Sequence, residues 1–142
     1  MVLHRRKAFL MDDCAYDIMG REGDPCVYCG QESSGHDHVP PLAYISKLDE
    51  ETKNHLNLRK FPACRECNSI LGDILLKDIR SRRAYVHEKL RSKYASCLRM
   101  PAWEENELEE LGRNLQDNIR SRSVFASHLR DRLSFHRSKR RK

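Results

Sequence analysis

The sequences CVYCG (residues 26–30) and CRECNSILGD (residues 64–73) each contain two cysteines separated by two other residues. The insert between the two pairs contains HDHVPP at residues 36–41. Two C-x-x-C pairs supply the four thiolates of a closed tetrahedral zinc site. We therefore predict that a structural zinc ion is bound by Cys26, Cys29, Cys64 and Cys67.

The predicted zinc site has a structural role rather than a catalytic one. Zinc binding contributes roughly 10 to 16 kcal/mol in small peptide modules, which is enough to fold a unit with little core of its own. A shell of four thiolates leaves no open coordination position for a reacting group. Any chemistry is therefore expected elsewhere. Cys14 and Cys97 have no partner at ligand spacing, and we interpret both as ordinary small apolar residues.

The composition indicates a polar, basic chain with an anionic partner. Hydrophobic residues make up 39% of the sequence and charged residues 34%, and the net charge is +6. Residues 120–142 contain nine Arg or Lys against one Asp, which favours nucleic acid through counterion release, although a solubilising tail would have the same composition. We see no membrane-spanning run and no export signal, so we expect an intracellular, cytoplasmic protein.

Hydrophobic patterning and turn residues predict an α+β fold in three parts. These are an N-terminal arm at 1–25, a cysteine-bearing core at 26–73 and a basic helical extension at 74–142. Within the core, two short strands are predicted around His38–Val39 and Leu56–Phe61.

Apolar spacing predicts the helices of the extension. One long basic amphipathic helix is predicted from Ile74 to Leu98, and Pro101 breaks it. A second is predicted to start near Trp103 and to bury Leu108, Leu111, Leu115 and Ile119. Phe125, Leu129 and Leu133 continue at helical spacing, as a third helix or a kinked continuation.

The order CxxCG, DHVPP and PACRECNSILGD resembles the HNH (ββα-metal) endonuclease superfamily, particularly its zinc-stapled branch of phage endonuclease VII-type nucleases. The resemblance covers about residues 26–73. It implies a ββα-metal core in which His38 is the general base that activates water. It also implies that Asp37 and Asn68 bind a catalytic divalent metal, and their hard oxygen ligands favour Mg²⁺ or Mn²⁺.

The sequence departs from the family pattern on the second strand. The family usually has an Asn five residues before the third cysteine, where this chain has Arg59, and Asn57 lies two residues earlier. Asn57 is a candidate for orienting the loop around His38. His36 and His55 are candidates for phosphate or metal contact, or are uninvolved.

These features predict a metal-dependent DNA endonuclease that hydrolyses phosphodiester bonds and contacts the DNA backbone through its Arg- and Lys-rich helices. The alternative is a non-catalytic zinc-containing nucleic-acid-binding module. The helical part is also a candidate homodimer interface. A bacterial or phage-infected cell is the expected setting. The three histidines of the helical part are predicted to be on the surface: His87, His128 and His136.

Overall fold

The sheet is built around the strand that precedes the second cysteine pair. In the computed structural model, which describes residues 12–136, this strand is β3. It lies between β1, with which it pairs in parallel, and β2, with which it pairs antiparallel. The strand bounds are β1 Asp17–Ile18, β2 Gly35–Val39 and β3 Arg59–Ala63.

Two short helices lie between β2 and β3, and five helices follow β3. The two are α1, Leu42–Ile45, and α2, Glu50–Asn54. The five are α3 Arg65–Leu71, α4 Ile79–Lys93, α5 Ala95–Leu98, α6 Glu105–Glu109 and α7 Arg113–Leu133. The α+β class predicted from the sequence is confirmed, and both predicted strands are present, although β3 begins at Arg59 rather than at Leu56.

The predicted helix from Ile74 to Leu98 is shorter than expected and divided in two. Helix α4 begins only at Ile79 because the side chain of Asp78 caps it by accepting a hydrogen bond from the Ser81 amide at 2.8 Å. It ends at Lys93 and is followed by the separate turn α5. Residues 74–78 are therefore free to form a non-helical connection beside the sheet.

The C-terminal helices also differ from the prediction. Gly112 separates α6 from α7, and α7 then continues unbroken to Leu133. The prediction that Leu108, Leu111, Leu115 and Ile119 form one buried stripe required a continuous helix across Gly112. The break explains why Leu108 and Ile119 are buried whereas Leu115 is 50% exposed.

The main hydrophobic core joins the cysteines to the helical part. All four paired cysteines share one buried cluster with Phe61 of β3 and with Val86 and Leu90 of α4, and Leu133 at the end of α7 packs against it. Helices α4 and α7 therefore cover the cysteine pairs directly. A smaller cluster of Tyr16, Ile45 and Leu58 lies beside β1. The first eleven residues of the predicted arm and the RSKRRK tail lie outside the described residues.

Candidate metal centre and the His38 site

The four paired cysteines form one compact buried cluster. The Sγ atoms of Cys26, Cys29, Cys64 and Cys67 all lie within 4.8 Å of one another, and those of Cys29 and Cys64 are 3.7 Å apart. Tetrahedral zinc with Zn–S bonds near 2.3 Å requires sulfurs about 3.8 Å apart. The donor set and its spacing fit a metal ion such as zinc.

Local backbone structure aims each pair of sulfurs at the same point. In the first pair, the Gly30 amide donates to the Cys26 carbonyl at 2.9 Å, and Gly30 has a φ of 79°, which favours glycine. In the second pair, Cys64 is the N-cap of α3, and its Sγ accepts a hydrogen bond from the Cys67 amide at 3.4 Å. A tight turn and a helix N-terminus thus position the two pairs.

The thiols of the cluster compete for protons. Hydrogen bonding with the other three thiols lowers the pKa of Cys29, and hydrogen bonding with Cys26 and Cys67 lowers the pKa of Cys64 to about 6, although Cys29 opposes this shift. Hydrogen bonding with Cys29 and Cys64 raises the pKa of Cys26, and hydrogen bonding with all three other thiols raises that of Cys67. Mutual hydrogen bonds thus shift the pKa values of the four thiols in opposite directions, and thiolates are the form that binds metal. The remaining cysteines, Cys14 and Cys97, are outside the cluster, and Cys14 is exposed rather than packed.

His38 is paired with a carboxylate that sequence reasoning did not identify. Its Nε2 lies 2.5 Å from Oδ1 of Asp13, and Nζ of Lys60 lies 3.0 Å from the same oxygen. The hydrogen bond with His38 is the largest effect on Asp13 and, together with Lys60, lowers its pKa against the opposing effect of burial. The ring of Tyr16 packs edge-on against the imidazole at 4.8 Å. His38 is therefore held in one orientation while a quarter of its side chain stays exposed.

Asp37 is directed away from His38, into the core. Adjacent strand residues project to opposite faces of a sheet, and Asp37 is 5% exposed. The Arg82 guanidinium donates to both its oxygens, from Nε at 2.8 Å and from Nη2 at 2.9 Å, and Tyr28 donates a further hydrogen bond to Oδ2. Burial and the negative charge of Asp37 raise the pKa of Tyr28, so this hydroxyl stays protonated.

Arg82 also fixes the connection between α3 and α4. It is fully buried, and Nη1 donates to the carbonyl of Leu76 at 2.7 Å and to that of Ile74 at 3.3 Å. Burial opposes the charge of Arg82, but the ion pair with Asp37 outweighs it and raises the pKa of Arg82. The carboxylate of Asp37, which we predicted to bind a catalytic metal, is thus ion-paired with the side chain of Arg82.

The other predicted site residues are dispersed. Asn68, on α3, donates from Nδ2 to the backbone carbonyl of His36 at 3.1 Å. The Nε2 of His36 lies 2.8 Å from the carbonyl oxygen of Gly20. Asn57 is exposed and lines a surface depression with residues of α2, and His55 is exposed at the end of that helix. Among the described residues, no hydrogen bond or ion pair joins the side chains of Asp37, His38 and Asn68, so the catalytic Mg²⁺ or Mn²⁺ stays a prediction.

One histidine of the helical part is buried, so its predicted surface position is wrong. His87 is 6% exposed, not on the surface, and its Nε2 lies 2.7 Å from the carbonyl oxygen of Tyr28, between the first two cysteines. Burial lowers the pKa of His87, so the ring is neutral and donates to this carbonyl. His87 lies one position after Val86 on the buried face of α4. His128 and His136 are exposed, as predicted.

Comparisons of the chain with protein-family models, with curated proteins and with solved structures found no match. Across residues 12–136, none of the helices combines the length and the apolar character that crossing a membrane requires. In that same span, the cysteine cluster is the one group of three or more His, Cys, Asp or Glu side chains with the spacing of a metal site.

Proposed function

We propose that this chain is a metal-dependent DNA endonuclease of the HNH type, with a structural zinc ion in the cysteine cluster and His38 as the general base. The proposal is supported by an antiparallel strand pair, β2 and β3, the second strand of which leads directly into α3. His38 lies on β2, and the second cysteine pair lies at the junction of β3 with α3. This arrangement has the ββα order of the superfamily that the sequence resembles.

The observation that carries the proposal is the Asp13–His38 pair. A carboxylate that accepts from Nε2–H fixes the tautomer of the imidazole and leaves Nδ1 as the basic nitrogen. Within residues 12–136, Nδ1 has no hydrogen bond. A base in this state takes a proton from water as the water oxygen attacks phosphorus, and the leaving oxygen then departs and takes a proton from solvent.

The proposed catalytic cation does not fit the present contacts of Asp37. A divalent metal would neutralise charge on the phosphate and on the leaving oxygen. With both oxygens of Asp37 engaged by Arg82, binding there would require a buried ion pair to open, at a cost of several kcal/mol.

The Asp37–Arg82 pair favours a second candidate, a zinc-containing module that binds nucleic acid without cutting it. The exposed cations of α4 and α7, such as Arg91 and Arg130, serve either function equally well. The two candidates differ in their requirement for His38.

Nicking of supercoiled plasmid tests the choice between them. The wild type, His38→Ala and the exposed-histidine control His128→Ala would be incubated with Mg²⁺ or Mn²⁺, with DNA binding measured in parallel by fluorescence anisotropy. The nuclease proposal expects nicking by the wild type and the control, and a loss of about 10²-fold or more in His38→Ala with binding retained. Binding without nicking under either metal would select the module, and nicking by His38→Ala at the wild-type rate would exclude His38 as the base.

A further inference from the structure

A buried arginine from the end of α7 lies beside the cysteine cluster with unused hydrogen-bond donors. Arg132 is 6% exposed. Its Nη1 lies 2.7 Å from Oε1 of Glu66, one of the two residues between Cys64 and Cys67. Its Nε and Nη2 are buried, and neither has a hydrogen-bond partner. Buried guanidinium nitrogens without an acceptor are costly, so two of them in one side chain require an explanation.

The charge of the neighbouring sulfurs supplies that explanation. The buried guanidinium of Arg132 lies beside the Cys29 sulfur as well as the Glu66 carboxylate, so both groups face its positive charge. A zinc ion held by four thiolates carries a net charge of −2, and a buried anion of this kind requires a compensating cation. Arg132 is a cation beside the cysteine cluster, and its N–H groups can donate hydrogen bonds to thiolates.

The chain around Arg132 packs against the same cysteines. The ring of Phe135 lies on the backbone of Gly30, where an added β-carbon would be 2.6 Å from Cδ1 of the ring. Leu133 packs against the core that contains the sulfurs. Glu66 is held in turn by Lys93 and Tyr94, at 2.7 Å and 2.5 Å. The last turn of α7 is thus fixed on the cluster from several sides.

We propose that Arg132 donates hydrogen bonds to the metal-bound thiolates, above all Cys29, and that zinc binding is thereby coupled to docking of the last turn of α7. The coupling requires metal in the cysteine cluster and is independent of phosphodiester cleavage. A zinc-loaded but catalytically inactive protein would still test it.

Zinc affinity, measured by competition with a chelating indicator, gives the first test. Loss of a hydrogen-bonding partner behind a metal ligand typically weakens binding by about 10- to 100-fold. We expect a loss of this size in Arg132→Leu, a smaller loss in Arg132→Lys, and no change in Arg130→Leu, which removes an exposed arginine of the same helix. Wild-type affinity in Arg132→Leu would overturn the proposal.

A further variant distinguishes the contribution of the cysteine sulfurs from that of the Glu66–Arg132 ion pair. Glu66→Gln removes the carboxylate partner of Arg132 but leaves its guanidinium beside Cys29, so we expect a smaller loss of zinc affinity than in Arg132→Leu. An equal loss in both variants would assign the effect to the Glu66–Arg132 pair and would overturn the role of the thiolates.

The unaltered chain provides a test that does not depend on the folding of any variant. With ¹¹³Cd²⁺ in place of zinc, a hydrogen bond from Arg132 to a bound thiolate transmits a scalar coupling between the guanidinium proton and the metal nucleus. We expect a ¹H–¹¹³Cd correlation to the Hε or Hη protons of Arg132. Full cadmium loading without such a correlation would overturn the proposal.

Discussion

The carboxylate of Asp13 lies 2.5 Å from Nε2 of His38, although 25 positions separate the two residues in the sequence. Strand β1 makes this contact possible because its parallel pairing with β3 places the residues that precede it at the end of the sheet where β2 ends. In the proposed nuclease, Asp13 is therefore a positioning residue that acts through His38.

Replacement of Asp13 by Asn should impair catalysis without abolishing substrate binding. An Asn amide can donate to Nε2, which would move the ring proton to Nδ1 and remove the proposed base. We expect kcat for plasmid nicking to fall on the order of 10²-fold with KM nearly unchanged.

Asp12→Asn is the matched control for this prediction, because Asp12 pairs with Lys53 and not with His38. It should keep the wild-type kcat. If Asp13→Asn nicks as fast as the wild type while His38→Ala is inactive, Asp13 does not position the base.

Asp37→Asn should destabilise the fold. Removing one partner of a buried ion pair leaves the other charge uncompensated, and Arg82 is fully buried. We expect the free energy of unfolding of the zinc-loaded protein to fall by about 3 to 5 kcal/mol, measured by urea denaturation.

The same substitution also tests the metal role that the family resemblance implies for Asp37. A zinc-loaded Asp37→Asn protein of wild-type stability that has lost metal-dependent nicking would favour metal binding over the structural ion pair. Glu50→Gln, at an exposed carboxylate of α2, should leave stability unchanged within about 0.5 kcal/mol.

Replacement of a paired cysteine should remove the metal. We expect Cys64→Ser to lose bound zinc, as measured by elemental analysis, and to unfold at a much lower temperature than the wild type, because metal binding is coupled to folding. Cys14→Ser and Cys97→Ser alter cysteines outside the cluster and should retain zinc. Full zinc content in Cys64→Ser would contradict the four-thiolate site.

The stability of the protein should depend on pH through His87. Because burial lowers its pKa in the folded state, the unfolded chain binds more protons, and acid favours unfolding. The stabilisation is fully present above the unfolded pKa of 6.5 and is lost as the pH falls from there through the lower folded pKa.

Urea denaturation at saturating zinc between pH 7.5 and 5.5 checks this prediction. The wild type should lose stability relative to His87→Gln, by at most about 1.4 kcal/mol per pH unit. His128→Gln, at an exposed position, should follow the wild-type curve. A pH-independent difference between the wild type and His87→Gln would contradict a buried neutral imidazole.

The cysteine cluster could be predicted from the sequence because its signal is local. Two residues between the cysteines of each pair fix the geometry of a turn, whatever the rest of the fold does. The partners of His38 and Asp37 could not be predicted in the same way, since Asp13 and Arg82 lie 25 and 45 positions away. Those pairings depend on sheet order and helix docking, which no short pattern specifies.

A weaker signal for the buried arginines was nevertheless present. Arg82 lies three positions after Ile79 and four before Val86, on the apolar stripe of α4, and Arg132 lies between Leu129 and Leu133 on that of α7. A charged residue on a stripe that faces the core requires a buried partner. Such positions therefore indicate long-range ion pairs even when the partner is unknown.

The separation of Arg132 from the cysteines affects the order of events during synthesis. The fourth thiol, at Cys67, precedes Arg132 by 65 residues, which corresponds to roughly 3 to 13 s of translation. For those seconds a nascent chain holds a complete set of sulfurs that no guanidinium yet covers. In the proposed zinc-binding protein, metal capture and thiol oxidation compete for the same unshielded atoms, so we expect the supply of free zinc during translation to influence how much protein matures.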